Sequence, residues 1–234
     1  MLKTLAPKRF NPQVSARPLA SVIAAAPALV LALALLVLTG CASRAPNPTV
    51  YVLKSEPPVT VAPQPAQAAP PWQLMLPVRV PDYLDRDELL LPQGANAVQP
   101  ALNHLWAEAL SRSVPRVLTQ DLRTLRGAGS LWTTPLGGVA VQGQLRVELL
   151  ALDVDVGGRS VTLQARWSTH PLSSAAPPAA PSAAKSSTTP APQPAAHTTR
   201  LTVPSTSQDA AALVNAHRLA LWQLAQAIAR TLPP

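Results

Sequence analysis

Proline placement limits what this chain can fold into more than any other feature of its sequence. Of the 28 prolines in 234 residues, eight lie in residues 42–71 and seven in residues 171–196. In the first stretch, residues 57–71 are rich in alanine and lack periodicity, which indicates an extended, semi-stiff spacer. The second stretch is rich in alanine, serine and threonine and cannot bury enough apolar surface to order itself. We therefore predict an anchor and Pro/Ala-rich linker at 41–71 and a folded domain at 72–232. A disordered insertion at 171–196 interrupts that domain.

Residues 1–40 follow the order of a bacterial secretory signal, and we predict a signal peptide there. A basic stretch that ends at Arg17 precedes an uncharged segment, 18–39, and then the small residue Gly40. The basic stretch holds four of the 19 Lys and Arg residues and no acid, so the net charge of +8 falls to +4 for the rest of the chain. That mild balance removes most of the support for nucleic-acid binding.

The only cysteine of the chain, Cys41, directly follows this segment. It excludes an internal disulfide framework and a multi-cysteine metal site. A retained transmembrane helix needs about 20 apolar residues, which 18–39 could just supply, and an ordinary cleaved signal would leave a free thiol. Leu38-Thr39-Gly40-Cys41 resembles a lipobox at all four positions, and this favours a lipoprotein signal over both alternatives.

A lipoprotein signal predicts cleavage between Gly40 and Cys41 and a diacylglycerol on the Cys41 thiol. Several acyl chains give a firm anchor, where one chain would not. Ala42 stands where an aspartate would retain a lipoprotein in the inner membrane. We therefore expect a lipid anchor in the outer membrane and a domain that faces the periplasm.

Beyond the linker, apolar alternation predicts strands and a 3.6-residue period predicts helices. A short strand is expected at 50–53 inside the linker. The other predicted strands are 72–80, with an edge position or bulge at Pro77, then 89–91, a hairpin over 145–167, and 201–203. The hairpin carries a phase slip near 149–151 that indicates a β-bulge, and Gly157-Gly158 predicts a two-residue turn.

Two long helices complete the pattern. Residues 102–126 hold one apolar stripe, which predicts a helix kinked at Pro115 or two collinear helices. The last helix begins near Ser207 or Asp209 and ends before Pro233. Together these elements indicate an α/β fold, a single sandwich domain with a mixed β-sheet and two long helices.

Motifs for catalysis or metal binding are missing from the sequence. It contains no phosphate-binding loop, dinucleotide fingerprint, nucleophile elbow or HExxH helix. His170 and His197 could approach each other across the insertion, although a surface pair is favoured over a metal site. His104 and His217 are expected on helices, at the surface or its boundary. We predict no catalytic residue, no metal and no cofactor other than the lipid on Cys41.

Two acidic segments allow more than one interpretation. Asp153-Val-Asp155-Val-Gly157 begins like a calcium loop but lacks the distal Glu, which favours a strand that ends in a glycine turn. In the segment 81–88, four acids and an arginine surround Tyr83 and Leu84. Taken alone, this segment is best interpreted as a solvated loop whose two apolar residues pack inward.

With the leader, several short segments give the chain a family resemblance. It resembles the ABC-type transport auxiliary lipoproteins, the PqiC/YmbA-like group of Gram-negative bacteria. The insertion is longer than expected for that family, and Pro115 interrupts what is usually a smoother helix. The segments that carry the resemblance are the lipobox, Tyr51-Val-Leu53, Leu76-Pro-Val78, Pro81-Asp-Tyr-Leu-Asp-Arg86, Trp106-Ala-Glu108 at the opening of a helix, Arg116-Val-Leu118 and Asp121-Leu122 at its close, and Leu163-x-Ala165-x-Trp167.

The resemblance implies a non-enzymatic periplasmic domain that docks an MCE-domain protein and its inner-membrane transporter subunits at the outer membrane. Such systems move lipids between the two membranes, and a homo-oligomer is expected. Under this interpretation, Asp82, Tyr83, Leu84, Asp85 and Arg86 are candidate partner contacts or fold-defining residues. The alternative is a stand-alone envelope lipoprotein that binds a small molecule or peptidoglycan. A periplasmic hydrolase has no motif to support it.

Overall fold

The computed structural model describes residues 47–62, 71–134, 140–172 and 194–233. The signal peptide, the cleavage site at Gly40 and Cys41, and residues 63–70 and 173–193 lie outside the described residues. The predictions of a signal peptide, of a lipid anchor and of a disordered insertion therefore stay predictions.

The described residues form an α/β fold with eight strands, two helices and one 3₁₀ turn, which confirms the predicted fold class. Helix α1 is Leu110–Arg126 and helix α2 is Ala210–Thr231. The 3₁₀ turn is Asp82–Leu84. The strands are β1 Thr49–Tyr51, β2 Trp72–Leu74, β3 Glu88–Pro92, β4 Val98–Trp106, β5 Leu131–Trp132, β6 Gly143–Val154, β7 Ser160–Pro171 and β8 Ala195–Pro204.

These strands make two mixed sheets. The larger has the order β5-β2-β6-β7-β8, and the smaller has the order β1-β4-β3. Strand β2 runs parallel to both of its neighbours, and β6, β7 and β8 are antiparallel. In the small sheet β1 is parallel to β4, and β3 is antiparallel to it. Helix α2 packs against β7, β8 and α1, so the helices cover one face of the large sheet.

The β6–β7 hairpin follows the alternation of its sequence. Leu145, Val147 and Leu149 are buried, and after the bulge the buried positions become Leu152 and Val154. The register shifts between Leu149 and Ala151, which confirms the predicted bulge. The turn differs from the prediction because the strands end at Val154 and resume at Ser160, leaving a five-residue connection in place of two residues.

Helix α1 begins later than the sequence predicts. Residues 98–106 form β4, so the expected helical start at 102 is wrong. Leu105 and Trp106 match a helical stripe, but both pair with β1 as strand residues, and Leu102 is 85% exposed. Long-range pairing with β1 and β3 thus overrides a local pattern that fits either structure. From Leu110 onward α1 is one helix that continues through Pro115.

The N-terminal segment belongs to the folded domain. Strand β1 pairs with β4, and Leu53 is only 1% exposed within the hydrophobic core. Residues 49–53 were placed in the linker by the sequence, and the structure corrects that boundary. Only the chain between β1 and β2 remains as the long proline-rich connection.

The strand predicted at 72–80 is shorter than expected. It ends at Leu74, before Pro77, and Arg79 makes only an isolated bridge to Glu148. Proline has no backbone N–H to donate to a ladder, which fits the end of the strand. At the other boundary, β7 reaches Pro171 and β8 begins at Ala195. Both ends of the predicted insertion are therefore strand residues.

Candidate functional site

The candidate contact residues lie on the 3₁₀ turn and the residues that follow it, between β2 and β3. Leu84 is 5% exposed and packs into the core, whereas Asp82 and Arg86 are exposed. One carboxylate oxygen of Asp85 accepts a hydrogen bond from the backbone N–H of Ser111, 3.2 Å away. Asp85 thereby satisfies a free donor in the first turn of α1. Leu84 and Asp85 thus contact the core and α1, whereas the side chains of Asp82 and Arg86 lie at the surface.

Tyr83 joins this turn to the β6–β7 hairpin. The residue is 42% exposed, and its hydroxyl donates a 2.7 Å hydrogen bond to Oδ1 of Asp153. Burial raises the pKa of the Tyr83 hydroxyl, and the hydrogen bond and charge of Asp153 raise it further. The hydroxyl therefore stays protonated and holds the turn against the sheet. Tyr83 packs inward less fully than Leu84.

An open cleft of about 580 Å³ lies beside Tyr83. Its walls come from the β3–β4 connection, the β6–β7 turn and the outer face of β7 and β8. Asp153 and Arg200 place opposite charges in it, and Asn96 and Gln164 add amide groups. The cleft can accept a polar side chain of a partner next to the exposed part of the 3₁₀ turn.

Asp155 organises the hairpin turn next to this cleft. Its carboxylate accepts hydrogen bonds from the backbone N–H groups of Gly157, Arg159 and Ser160. Burial alone would raise the pKa of Asp155, but these donors together outweigh burial and hold the pKa below its usual range. The glycine-turn interpretation of this segment fits these contacts, since the carboxylate is engaged by its own turn.

A buried ion pair joins the two helices, and sequence reasoning missed it. Both oxygens of Asp121 accept hydrogen bonds from the Arg218 guanidinium, at 2.6 and 2.8 Å. The Asp121 side chain is fully buried, and that of Arg218 is 8% exposed. Burial raises the pKa of Asp121 to about 6, and the guanidinium of Arg218 opposes that shift.

The remaining donors of Arg218 hold the N-terminal segment. They contact the backbone carbonyls of Lys54 and Glu56, at 2.7 and 2.8 Å.

Arg116 on α1 holds the same segment. It donates to the carbonyl of Leu53 at 3.0 Å and to the hydroxyl of Ser55 at 2.6 Å. Arg116 also pairs with Glu108. Two helix arginines thus clamp residues 53–56, directly after β1.

The histidines occupy positions that differ from the predictions. His217 is buried against Trp106, and its ring nitrogen contacts the Leu213 carbonyl at 2.7 Å, so it is no surface residue. His104 lies on β4 rather than on a helix and stacks on Tyr51. The register places His197 opposite Trp167, so it does not pair with His170. Within the described ranges, no group of three metal-binding side chains occurs.

No helix in the described part of the chain is long and apolar enough to cross a membrane.

Comparison with protein families gives one match that covers most of the chain. Residues 51–229 match the family model described as ABC-type transport auxiliary lipoprotein component. Comparison with curated proteins finds no match. The match spans all strands from the end of β1 and almost all of α2, so it includes the clamp and the 3₁₀ turn.

Solved structures share the fold at low sequence identity. A crystal structure of an uncharacterised protein has a TM-score of 0.58 at 18% identity and covers 79% of this chain and 98% of its own. The protein XCC0632 from Xanthomonas campestris, which belongs to the family model DUF330, has a TM-score of 0.54 at 17% identity. That alignment covers 77% of this chain and 92% of the other. These similarities support the fold alone.

Proposed function

The chain belongs to the family of ABC-type transport auxiliary lipoprotein components, and from this premise we propose that it docks an MCE-type intermembrane lipid transport system at the outer membrane. In this proposal Cys41 carries the lipid anchor and the domain faces the periplasm. The partners are an MCE-domain protein and the inner-membrane transporter subunits. The family match over residues 51–229, with a lipobox directly upstream, carries the proposal.

The position of β1 supports a domain held close to its membrane. Thr49, the first residue of β1, lies only eight positions after Cys41. A fully extended chain of that length reaches about 28 Å, which is less than the diameter of about 35 Å expected for a domain of this size. The proline-rich stretch between β1 and β2 adds nothing to this reach. A docking role needs such closeness, since the partner must be brought to the membrane.

We propose that the domain acts by binding and not by catalysis. The polar groups of the candidate site serve the fold: Asp85 holds α1, Asp155 holds its turn, and Asp153 accepts from Tyr83. The surface they leave open consists of Asp82, Arg86 and the outer edge of the Tyr83 ring, beside the 580 Å³ cleft. This surface is the proposed contact with the MCE-domain protein.

A second copy of the chain is the other proposed partner. Strand β8 is ten residues long and lies at the end of the large sheet, and in the described structure no strand pairs with its outer side. A long open edge offers backbone donors and acceptors to another chain. This edge supports the expected homo-oligomer, which native mass spectrometry of the detergent-solubilised lipoprotein tests directly.

The docking proposal is tested by a gentle-detergent pull-down of the tagged processed lipoprotein, with mass spectrometry of the recovered proteins and lipids. The informative variant is Arg86→Glu, and the matched control is Arg146→Glu, which makes the same charge change at another exposed position, on β6. An MCE-domain protein recovered with wild type and R146E, but not with R86E, supports the contact surface.

Two results would count against the proposal. If R86E recovers the MCE-domain protein at the wild-type level, the 3₁₀ turn is not the contact. A lipoprotein recovered without any MCE-domain protein, but with a bound small molecule or peptidoglycan fragment, favours the stand-alone envelope binder. The 580 Å³ cleft beside Tyr83 is where such a ligand would be sought first.

A further inference from the structure

Three arginines share one face of α1 and line an open groove of about 400 Å³. Arg112, Arg116 and Arg123 are separated by four and seven residues, a spacing that places them on the same side of a helix. Across the groove lie the hydroxyl-bearing Ser55 and Thr133 and the half-exposed Leu76. None of the residues described as lining the groove is acidic. We call this groove the arginine face.

The three guanidinium groups differ in what they already bind. Arg116 is engaged by Glu108 and by the N-terminal segment. Arg123 donates from its Nε to the Leu131 carbonyl, and its guanidinium carbon lies 5.7 Å from the centroid of the Trp132 ring. Its two terminal nitrogens keep their hydrogen-bond donors for other acceptors. Arg112 is exposed, and the described residues supply no partner for its side chain. With Glu108 counted, the cluster keeps two positive charges in excess.

Two exposed arginines outside this groove are paired with acids. Arg86 lies 3.8 Å from Glu88, and Arg166 donates to Glu148 at 2.6 Å. A membrane that contains anionic lipid attracts the most cationic exposed surface within reach. The short chain between Cys41 and β1 keeps the domain within about one diameter of the bilayer.

We propose that the arginine face binds the phosphate of an anionic phospholipid headgroup in the membrane that carries the lipid anchor. Guanidinium groups bind phosphate oxygens in pairs of hydrogen bonds, and adjacent hydroxyls add further donors. Leu76, at 51% exposed, meets the apolar boundary of the headgroup layer. The contact turns α1 toward the bilayer. This inference rests on the proposed anchor at Cys41.

The test uses the full lipoprotein purified from bacterial membranes and placed in nanodiscs. One set contains phosphatidylcholine alone, and the other contains equal amounts of phosphatidylcholine and phosphatidylglycerol. Arginine modification by p-hydroxyphenylglyoxal is followed by mass spectrometry. We expect phosphatidylglycerol to slow modification of Arg112 about fivefold, as for a basic side chain held at an anionic surface. Modification of Arg200, an exposed arginine on β8, should not change.

A pair of variants separates a site from general charge attraction. Arg112→Glu and Arg200→Glu change the net charge equally at two exposed positions. In R112E the lipid-dependent protection of Arg123 should be lost, and in R200E it should persist. Equal losses in both variants would overturn the proposed site.

Further controls separate the lipid from other anions and the inference from its premise. Inorganic phosphate is therefore added to phosphatidylcholine nanodiscs. If it protects Arg112 as strongly as phosphatidylglycerol does, the anion does not have to come from the membrane, and the proposal of a lipid headgroup is overturned. The intact mass of the protein reports acylation of Cys41. An acylated chain whose Arg112 is unprotected overturns the arginine face alone, whereas a chain without acyl groups overturns the anchor and this inference with it.

Discussion

In the large sheet, β6, β7 and β8 follow one another in the chain, whereas the small sheet joins β1 to β4 across the 3₁₀ turn, β2 and β3. The β6–β7 ladder pairs residues from Gly143 to Val154 with Pro171 to Val161. Strand β1 contributes only three pairs. Backbone pairing therefore contributes much more to the large sheet than to the small one.

The small sheet is instead supported by side chains from the helices. Arg116 and Arg218 hold the carbonyls that follow β1, and Arg218 is itself held by Asp121. His217 packs on Trp106, the last residue of β4. A short strand can therefore be kept in place by buried polar contacts when its own ladder is too short to hold it.

The first prediction tests the buried ion pair that supports the small sheet. Asp121→Ala leaves the buried Arg218 guanidinium without its carboxylate, and we expect the free energy of unfolding to fall by about 3–5 kcal/mol. Urea denaturation followed by circular dichroism measures it. Arg166→Ala, which removes the exposed pair with Glu148 on the large sheet, serves as the control and should cost about 0–1 kcal/mol. Similar losses of stability in both variants would show that the buried ion pair does not support the small sheet more than an exposed pair supports the large one.

The second prediction tests the tight packing of the large sheet around Gly143. At Gly143 an added Cβ would lie 2.6 Å from the Trp72 ring and 2.8 Å from the His170 carbonyl oxygen. Gly143→Val should therefore lower the free energy of unfolding by about 1–3 kcal/mol, the cost of overpacking. At Gly129 a Cβ meets no atom within 4 Å, so Gly129→Ala should stay within about 0.5 kcal/mol of wild type. Thermal unfolding of both variants checks the difference.

The third prediction concerns pH and the contact between His217 and β4. Burial lowers the pKa of His217, while the Leu213 carbonyl and the charge of Asp153 oppose that shift. The folded chain holds the ring neutral, and the unfolded chain takes up a proton below a pH of about 6.5. Stability is therefore present above that pH and is lost as the pH falls, by at most about 1.4 kcal/mol per pH unit from this group.

Denaturation of wild type and His217→Gln between neutral and mildly acidic pH measures this contribution. The slope of stability against pH should be smaller in the variant, because glutamine does not titrate. A variant with the wild-type slope would show that His217 is not held neutral by its burial.

The sequence could predict elements of the large sheet better than those of the small sheet. The hairpin, its bulge and the C-terminal helix depend on local periodicity, which the sequence displays directly. Strand β4 depends on distant partners, and its apolar residues at 102, 105 and 106 fit a helix as well as a strand. The length of the five-residue turn is not visible in the sequence, because it depends on the three backbone N–H groups that donate to the Asp155 carboxylate.

The candidate site could be predicted only in part. The segment 81–88 was identified by its density of acids, but which of its residues face inward depends on β6 and α1. Asp121 and Arg218 each stand inside an apolar helical stripe. A charge at such a position is the one signal that could have suggested a buried pair, although their pairing joins distant parts of the chain.

The clamp on residues 53–56 also decides where a mechanical load enters the domain. Tension on the chain from its N-terminal side reaches β1 first and then the carbonyls held by Arg116 and Arg218. Both arginines belong to the helix pair, whose far ends are tied by Arg126 to the carbonyls of Ala229 and Leu232. A pull of this kind is shared between the three-pair β1–β4 ladder and the two helices. The side-chain contacts that position residues 53–56 therefore also resist extraction of the N-terminal segment from the domain.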